Sequence, residues 1–526
     1  MLLSKTNYIL YRDCPHNVWV KLHKPEEYRK FEISAFEQSL GVMGNEVERL
    51  ARGMFPNGVM VNGRDRDAQA QTQKLITEHT PVIFQAVFAT ERYLAAADVL
   101  VWNSSAKTYD LYEIKMSSTT EEDDEEKAST KKEVQYEHDL AFQVNVLAEC
   151  GLRINKKYLI RLNKDYVKHG ELDFSLNTLF VQDDKTEVID KLRPVVSEEM
   201  AKAAEYINTN TQPTGPCLCY YRGRSSHCTA FSYLNPEVPK YSVHDLNRIG
   251  NSKALLKELL DDGILTVDRV PEDRLPTPKP AKEGNKPSKP RKLNQVQVAK
   301  TQEPIIDLEA IKAELNSLTF PLYFLDYETY PTAIPIFDGY RPYQHIVFQY
   351  SLHVLTEADA RAGLEPKHFE EIVLEGDPAE KIVESLSRHI GPVGSIISWY
   401  KKFENSRNRE LAKTVPLQHA FLTDVIARTY DLMDIVEDQH YVHPGFEGRS
   451  SIKKVFPVLA PDEERSYSSL DVKNGTDAIE AYRKISQGEV AGQAALELKA
   501  EMLEYCKLDT KAMYVIWKFF YDMVKI

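Results

Sequence analysis

A chain of 526 residues is too long for one hydrophobic core, so two or three domains are expected. Its hydrophobic content of 42% is ordinary. No run approaches the roughly 20 apolar residues of a membrane span. The start MLLSKTNYILYRDC lacks a signal peptide's long apolar core and small-residue cleavage site, so a cytoplasmic location without a membrane partner is expected. A formal net charge of −13 repels polyanions as a whole, which leaves nucleic-acid binding to local basic patches and to cations held by carboxylates.

In chain order, residues 31–54 read as a helix ending near Gly53 and Pro56. Residues 97–102 and 109–116 read as two strands with a turn between them. Residues 131–150 follow as a helix, with Leu140, Val144 and Leu147 at i, i+4 and i+7. Residues 157–162 read as another strand and 241–270 as a small helical insert. The acidic block at 121–126 reads as a solvated loop. The stretch 271–304, rich in Pro and Lys, has too few apolar residues to bury a core and reads as a flexible linker. Beyond it, strands are predicted at 320–327, 345–355 and 395–400, and helices at 404–413, 417–433 and 495–521. The expected organisation is α/β, with domains at 1–240 and 305–526.

Two sets of acidic residues carry chemistry. Residues two apart on a strand share a face, so Glu113 and Lys115 point the same way, and Asp98 on a neighbouring strand completes a carboxylate pair. Two carboxylates make a hard oxygen site for Mg²⁺ or Mn²⁺, and the lysine can orient water or stabilise charge developing on a phosphate. Glu46 on the preceding helix and Gln143 on the following one are candidate partners. This order resembles the RecB-like branch of the PD-(D/E)XK nucleases, with Glu46 where that family often has His. The late Q-x-x-x-Y motif is only partly present, since Leu147 stands where Tyr would be.

Cys14 near the start and Cys217, Cys219 and Cys228 at the end of the same region sharpen the resemblance. Iron–sulfur members of that branch place one cysteine early and three late, which implies a [4Fe–4S] cluster on these four thiolates. The C-x-C spacing followed by eight residues departs from the pattern. Zn²⁺, with His227 as a substitute ligand, and free thiols are the alternatives. Cys150 and Cys506 read as core residues on helices.

In the second set, Asp326 and Glu328 lie on one face at the end of an apolar strand, and Tyr505 and Asp509 share a helical face at i, i+4. The set resembles the DEDD exonucleases of the DnaQ-like, RNase H-related superfamily, in the subtype with tyrosine before the last Asp. That resemblance implies two divalent cations about 4 Å apart. Glu404 replaces the family's middle Asp and Tyr400 its Asn; Asp424, Asp431 and Asp434 are alternatives. The motif order as a whole resembles an uncharacterised bacterial family that fuses the two nuclease types.

The expected function is metal-dependent hydrolysis of phosphodiester bonds, on DNA more than RNA, with single-stranded ends favoured. The competing readings are a nucleic-acid-binding or defence-associated protein with one active site, and an RNA-processing exonuclease.

Overall fold

A computed structural model describes residues 1–30, 35–118, 126–175, 177–277, 289–462 and 475–524, with the side chains of 35–40 and 126–131 left aside. The chain is α/β and falls into two compact units. The first comprises Met1–Tyr220, His227–Pro236 and Thr332–Gln344; the second comprises Tyr221–Ser226, Glu237–Pro331 and His345–Ile526. Among the described residues, no helix is long and apolar enough to cross a membrane.

The first unit is built on a seven-stranded mixed sheet. It opens with the short strand β1 (Leu3–Ser4), then α1 (Lys5–Asp13) and α2 (Pro15–His23). Ser4 caps α1 by accepting from Asn7 N, and Pro15 starts α2 where no amide donor is needed. Helix α3 (Ala35–Ala51) precedes β2 (Val59–Met60), β3 (Val82–Ala89), β4 (Tyr93–Asn103) and β5 (Thr108–Ser118). Helix α4 (Glu126–Glu149), β6 (Ile154–Leu162), β7 (Phe180–Asp184) and α5 (Thr186–Ile207) complete it.

The sheet runs β2 to β7 in chain order, with β1 parallel to β4. Strands β3, β4 and β5 are antiparallel, and the helical crossover α4 makes β6 parallel to β5. One face packs Ile83, Leu100 and Leu111 against Leu140, Val144 and Val196 of α4 and α5. The other packs Phe84, Val99, Ile114 and Ile160 against Val47 and Ala51 of α3 and against Ala333 and Ile334.

In the second unit, α6 (Arg291–Thr301) buries Gln295, Val296 and Val298. This corrects the expected linker over 271–304: once folded, the few apolar residues at its end suffice for one buried helical stripe. Residues 278–288 lie outside the described residues. The core sheet holds β8 (Leu322–Pro331), β9 (His345–Leu355), β10 (Lys367–Ile372), β11 (Ser395–Ser398) and β12 (Thr429–Asp431), in the order β10-β9-β8-β11-β12.

Strand β8 is central, antiparallel to β9 and parallel to β11, which explains a near-continuous apolar run buried on both faces. Helices α7 (Lys401–Thr414) and α10 (Gly492–Val524) bring further site residues to it, and α8 (His419–Ala427) and α9 (Gly475–Ser486) lie between them in the chain. The single helix expected at 417–433 is instead α8 followed by β12. Edge pairing with β11 claims Thr429, Tyr430 and Asp431. The acidic block at 121–126 lies outside the described residues up to residue 125.

Candidate functional site

The N-terminal cluster forms where β4 meets β5. Val99 pairs with Tyr112, so Asp98 stands one step on, beside Glu113. Ile114 N–H donates to Asp98 Oδ2 at 3.0 Å, fixing that carboxylate against the strand carrying Glu113 and Lys115. Glu113 is almost wholly buried and is surrounded by donors. Lys5 Nζ and Lys115 Nζ both lie 2.7 Å from its Oε1, and Gln143 Nε2 lies 2.7 Å from its Oε2.

The electrostatics of this cluster split its two carboxyls. Burial, then the charges of Glu113 and Glu48, push Asp98 up to about 7 against the pull of Lys5. Burial would raise Glu113 too, but Lys115 and Lys5 hold it well below the usual carboxylate range. Lys115, despite its burial, is raised above its ordinary value by Asp139 and Glu113.

Three members of this cluster escaped sequence reasoning. Asp139, one turn before Gln143 on α4, pairs with Lys115 and lies 3.7 Å from Lys5. Lys5 comes from α1, far away in sequence. Glu48, two positions from the expected Glu46, is linked to Asp98: Gln85 Nε2 donates to both carboxylates. No hydrogen bond among the described residues joins Glu46 to the cluster.

Helix period explains the difference. A Cβ at Gly44 would sit 3.6 Å from Met116 Sδ, so that face of α3 meets β5, and Glu48 shares the face at i+4. Counting four residues from Gly44 rather than two finds it.

The C-terminal cluster gathers Asp326 and Glu328 from β8, Glu404 from the first turn of α7, and Tyr505, Cys506 and Asp509 from α10. Asp431 accepts from the backbone N–H groups of Tyr400 and Lys401, both at 2.9 Å, and so anchors the start of the helix that carries Glu404. Asp424 is taken up by Arg428 at 2.6 Å, and Lys401 approaches Asp434 at 3.9 Å. Tyr505 is hydrogen-bonded to Asp509. Lys453 lies 6.0 Å over the Tyr505 ring and is the cation acting on Glu328.

Burial above all, and then repulsion from neighbouring carboxylates, push Asp326, Glu328 and Glu404 well above the usual range. Glu404 is 4% exposed, and its Oε2 has no hydrogen-bond partner among the described residues. A buried, unsatisfied carboxylate oxygen is costly unless a cation meets it.

Ligand geometry separates the clusters. Among the described residues, two groups of metal-ligating side chains bring their donor atoms within 4.8 Å of one another: Asp326, Glu328 and Cys506, and the four cysteines Cys14, Cys217, Cys219 and Cys228. The N-terminal carboxylates form no such group; lysines stand among them instead. The cysteine set can bind a metal. Cys14, between α1 and α2, meets the three late cysteines, all buried. Asn235 Nδ2 donates to Cys217 Sγ at 3.7 Å. His227 is not in that set; its ring stacks on Phe231.

Aromatic and amide residues after the D-Y-E-T strand are occupied by packing. Tyr343 OH donates to Met116 O, Phe348 stacks on Tyr482 with centroids 4.1 Å apart, and Gln349 Nε2 donates to Met502 O at 2.9 Å. Arg449 pairs with Asp245 at 3.1 Å.

Residues 323–451 match the family model of a domain of unknown function, DUF2779. The chain is also distantly similar to an uncharacterized protein, MG366, of Mycoplasma genitalium, 26% identical over 230 residues, which is 40% of this chain and 33% of that protein. Its homolog in Mycoplasma pneumoniae is 30% identical over 218 residues, covering 38% and 32% respectively. The chain therefore spans about a third of the length of these relatives.

Proposed function

We propose that this protein is a metal-dependent nuclease that hydrolyses phosphodiester bonds, acting on DNA more than RNA and favouring single-stranded ends. The reading assigns a PD-(D/E)XK-type core to the first unit and an RNase H-like, DnaQ-type core to the second. The observation that carries it is the set of half-buried Asp326 with buried Glu328, Glu404 and Asp509 beside Tyr505, with the Glu404 oxygen left unsatisfied.

Such a set fits Mg²⁺ or Mn²⁺, hard ions that take carboxylate oxygens. When bound, these ions supply Lewis-acid stabilisation of the attacking and leaving oxygens of an in-line displacement. Asp326, Glu328, Glu404 and Asp509 would hold them, and Tyr505, oriented by Asp509, positions the attacking water. At the N-terminal cluster Asp98, Glu113 and Glu48 would hold the ion, with Glu48 in place of Glu46. There Lys115 stabilises charge developing on the phosphate, and Gln143 orients Glu113. The four cysteines are assigned a [4Fe–4S] cluster, with Zn²⁺ as the alternative.

The test is cleavage of end-labelled single-stranded DNA and RNA with Mn²⁺ by Asp98→Ala, Asp326→Ala and the double variant. A double variant as fast as the unaltered protein overturns the reading. A second reading, in which one centre alone cuts, is favoured by the lysines seated on Glu113. It expects Asp98→Ala to keep its activity and Asp326→Ala to lose it.

A further inference from the structure

Cys506 is the member of the C-terminal cluster to which that chemistry gives no task. It follows Tyr505 on α10, is fully buried, and its thiol donates to Asp326 Oδ2 at 3.6 Å. One donor atom each from Asp326, Glu328 and Cys506 lies within 4.8 Å of the other two. Independently, Glu404 is buried with an Oε2 that has no hydrogen-bond partner among the described residues, and it feels the charge of Asp326. The pocket therefore combines two carboxylates, one thiol and one unsatisfied acceptor.

Hard and borderline-soft ions see this set differently. Mg²⁺ takes oxygen ligands and has little use for sulfur, whereas Zn²⁺ binds thiolate and carboxylate together, usually as four ligands in a tetrahedron. We propose that Cys506 makes the C-terminal cluster a zinc-selective site, in which Asp326, Glu328 and the Cys506 sulfur hold one Zn²⁺ in competition with the hard ion. Binding forms a Zn–S bond as the thiol S–H breaks; the proton passes to solvent and no group changes oxidation state. Glu404 or a water supplies the fourth position. Zinc so held is an inhibitor, because it ties Asp326 and Glu328 to the sulfur side of the pocket.

The inference rests on reading this cluster as a metal centre. Crystals of the full chain soaked in Zn²⁺ and mapped at the zinc edge are expected to show an ion with Cys506 Sγ at about 2.3 Å. Zinc on the carboxylates with Cys506 turned away overturns the inference but upholds the metal centre. No ion there after either a Zn²⁺ or a Mn²⁺ soak overturns both.

In solution, Cys506→Ser is expected to lose Zn²⁺ affinity by at least about tenfold, the loss that even an outer-shell partner causes. Competition with a chromophoric chelator reads this, and the four-cysteine site contributes equally to both proteins. Mn²⁺ affinity, read by paramagnetic resonance, is expected to hold. Equal zinc affinities in a folded Cys506→Ser protein overturn the inference.

Discussion

The side-chain amide of Gln85 ties Asp98 to Glu48: its Nε2 donates to Asp98 Oδ1 at 3.1 Å and to Glu48 Oε1 at 2.6 Å. Gln85 sits within β3 at φ 54, in the left-handed region that a non-glycine residue enters at a cost of order 1–3 kcal/mol. The strain positions one amide between two carboxylates of the proposed metal site. Gln85→Ala keeps the strain and loses the amide; Gln85→Gly loses both. Both are therefore expected to weaken the Mn²⁺ dependence of cleavage by roughly 10–100-fold. If Gly behaves like the unaltered protein, the backbone matters and the amide does not.

Lys5 and Lys115 contact the same oxygen of Glu113, but only Lys115 has the strand position that the proposed chemistry uses. Lys115→Met is expected to lower the cleavage rate at the first centre by about 10²–10³-fold while metal still binds. Lys5→Met removes a positive charge from the metal's place and is expected to tighten Mn²⁺ binding several-fold. Calorimetric titration of both variants in an Asp326→Ala background separates the effects.

Glu404 is expected to be a liability without metal and a necessity with it. Its buried carboxylate is repelled by Asp326 and Asp431, and burial itself opposes its charge. Glu404→Gln should therefore raise the melting temperature in EDTA by a few degrees, at about 2–4 °C per kcal/mol for units of this size. The same substitution should abolish the Mn²⁺-induced rise in melting temperature of the second unit. A lower melting temperature in EDTA would show the carboxylate to be structurally required.

Across β9 and β10, His353 and His368 pair with tilted rings, their centroids 4.5 Å apart, and Ser351 and Thr510 bond to them. Burial lowers His353 to about 3 and His368 to about 4. A histidine lowered in the folded state contributes stability that is present above its unfolded value, near 6.5, and is lost as pH falls toward the folded one. Thermal unfolding should lose about 1.4 kcal/mol per pH unit for His353 between pH 6.5 and 4. His353→Gln should flatten that slope.

The cysteine set predicts its own dependence on metal. Cys217→Ser removes one of four buried thiols, so the metal held by this set should be lost and the first unit should melt at a lower temperature. Iron with visible absorbance, or zinc without it, identifies the native occupant.

Much of this architecture is legible because it rests on local periodicity. Strand β9 runs over the expected 345–355, and β5 contains the expected 109–116. The D-x-E strand and the Y-x-x-x-D helix meet because each places its pair on one face. What escaped depends on distance in sequence or on helical phase. Lys5 reaches Glu113 across more than a hundred residues, Asp139 looks like any exposed helix acid, and Glu48 is found only by counting one full turn from Gly44. The place of Thr332–Gln344 in the first unit is likewise invisible to composition, because two of its apolar side chains, Ala333 and Ile334, find their core elsewhere in the chain.

Helix α1 begins at Lys5 and is closed by Cys14, whose backbone N–H caps it on Leu10 O. One rigid rod of about 13 Å thus carries a cation of the N-terminal cluster at one end and, at the other, a thiol of the set that can bind a metal. Whatever draws Cys14 toward Cys217, Cys219 and Cys228 also fixes where the Lys5 ammonium stands. An oxidant or chelator that empties the cysteine set would loosen that rod and change the charge felt by Glu113, so a single lost ion would be registered as altered metal affinity at a place it never touched.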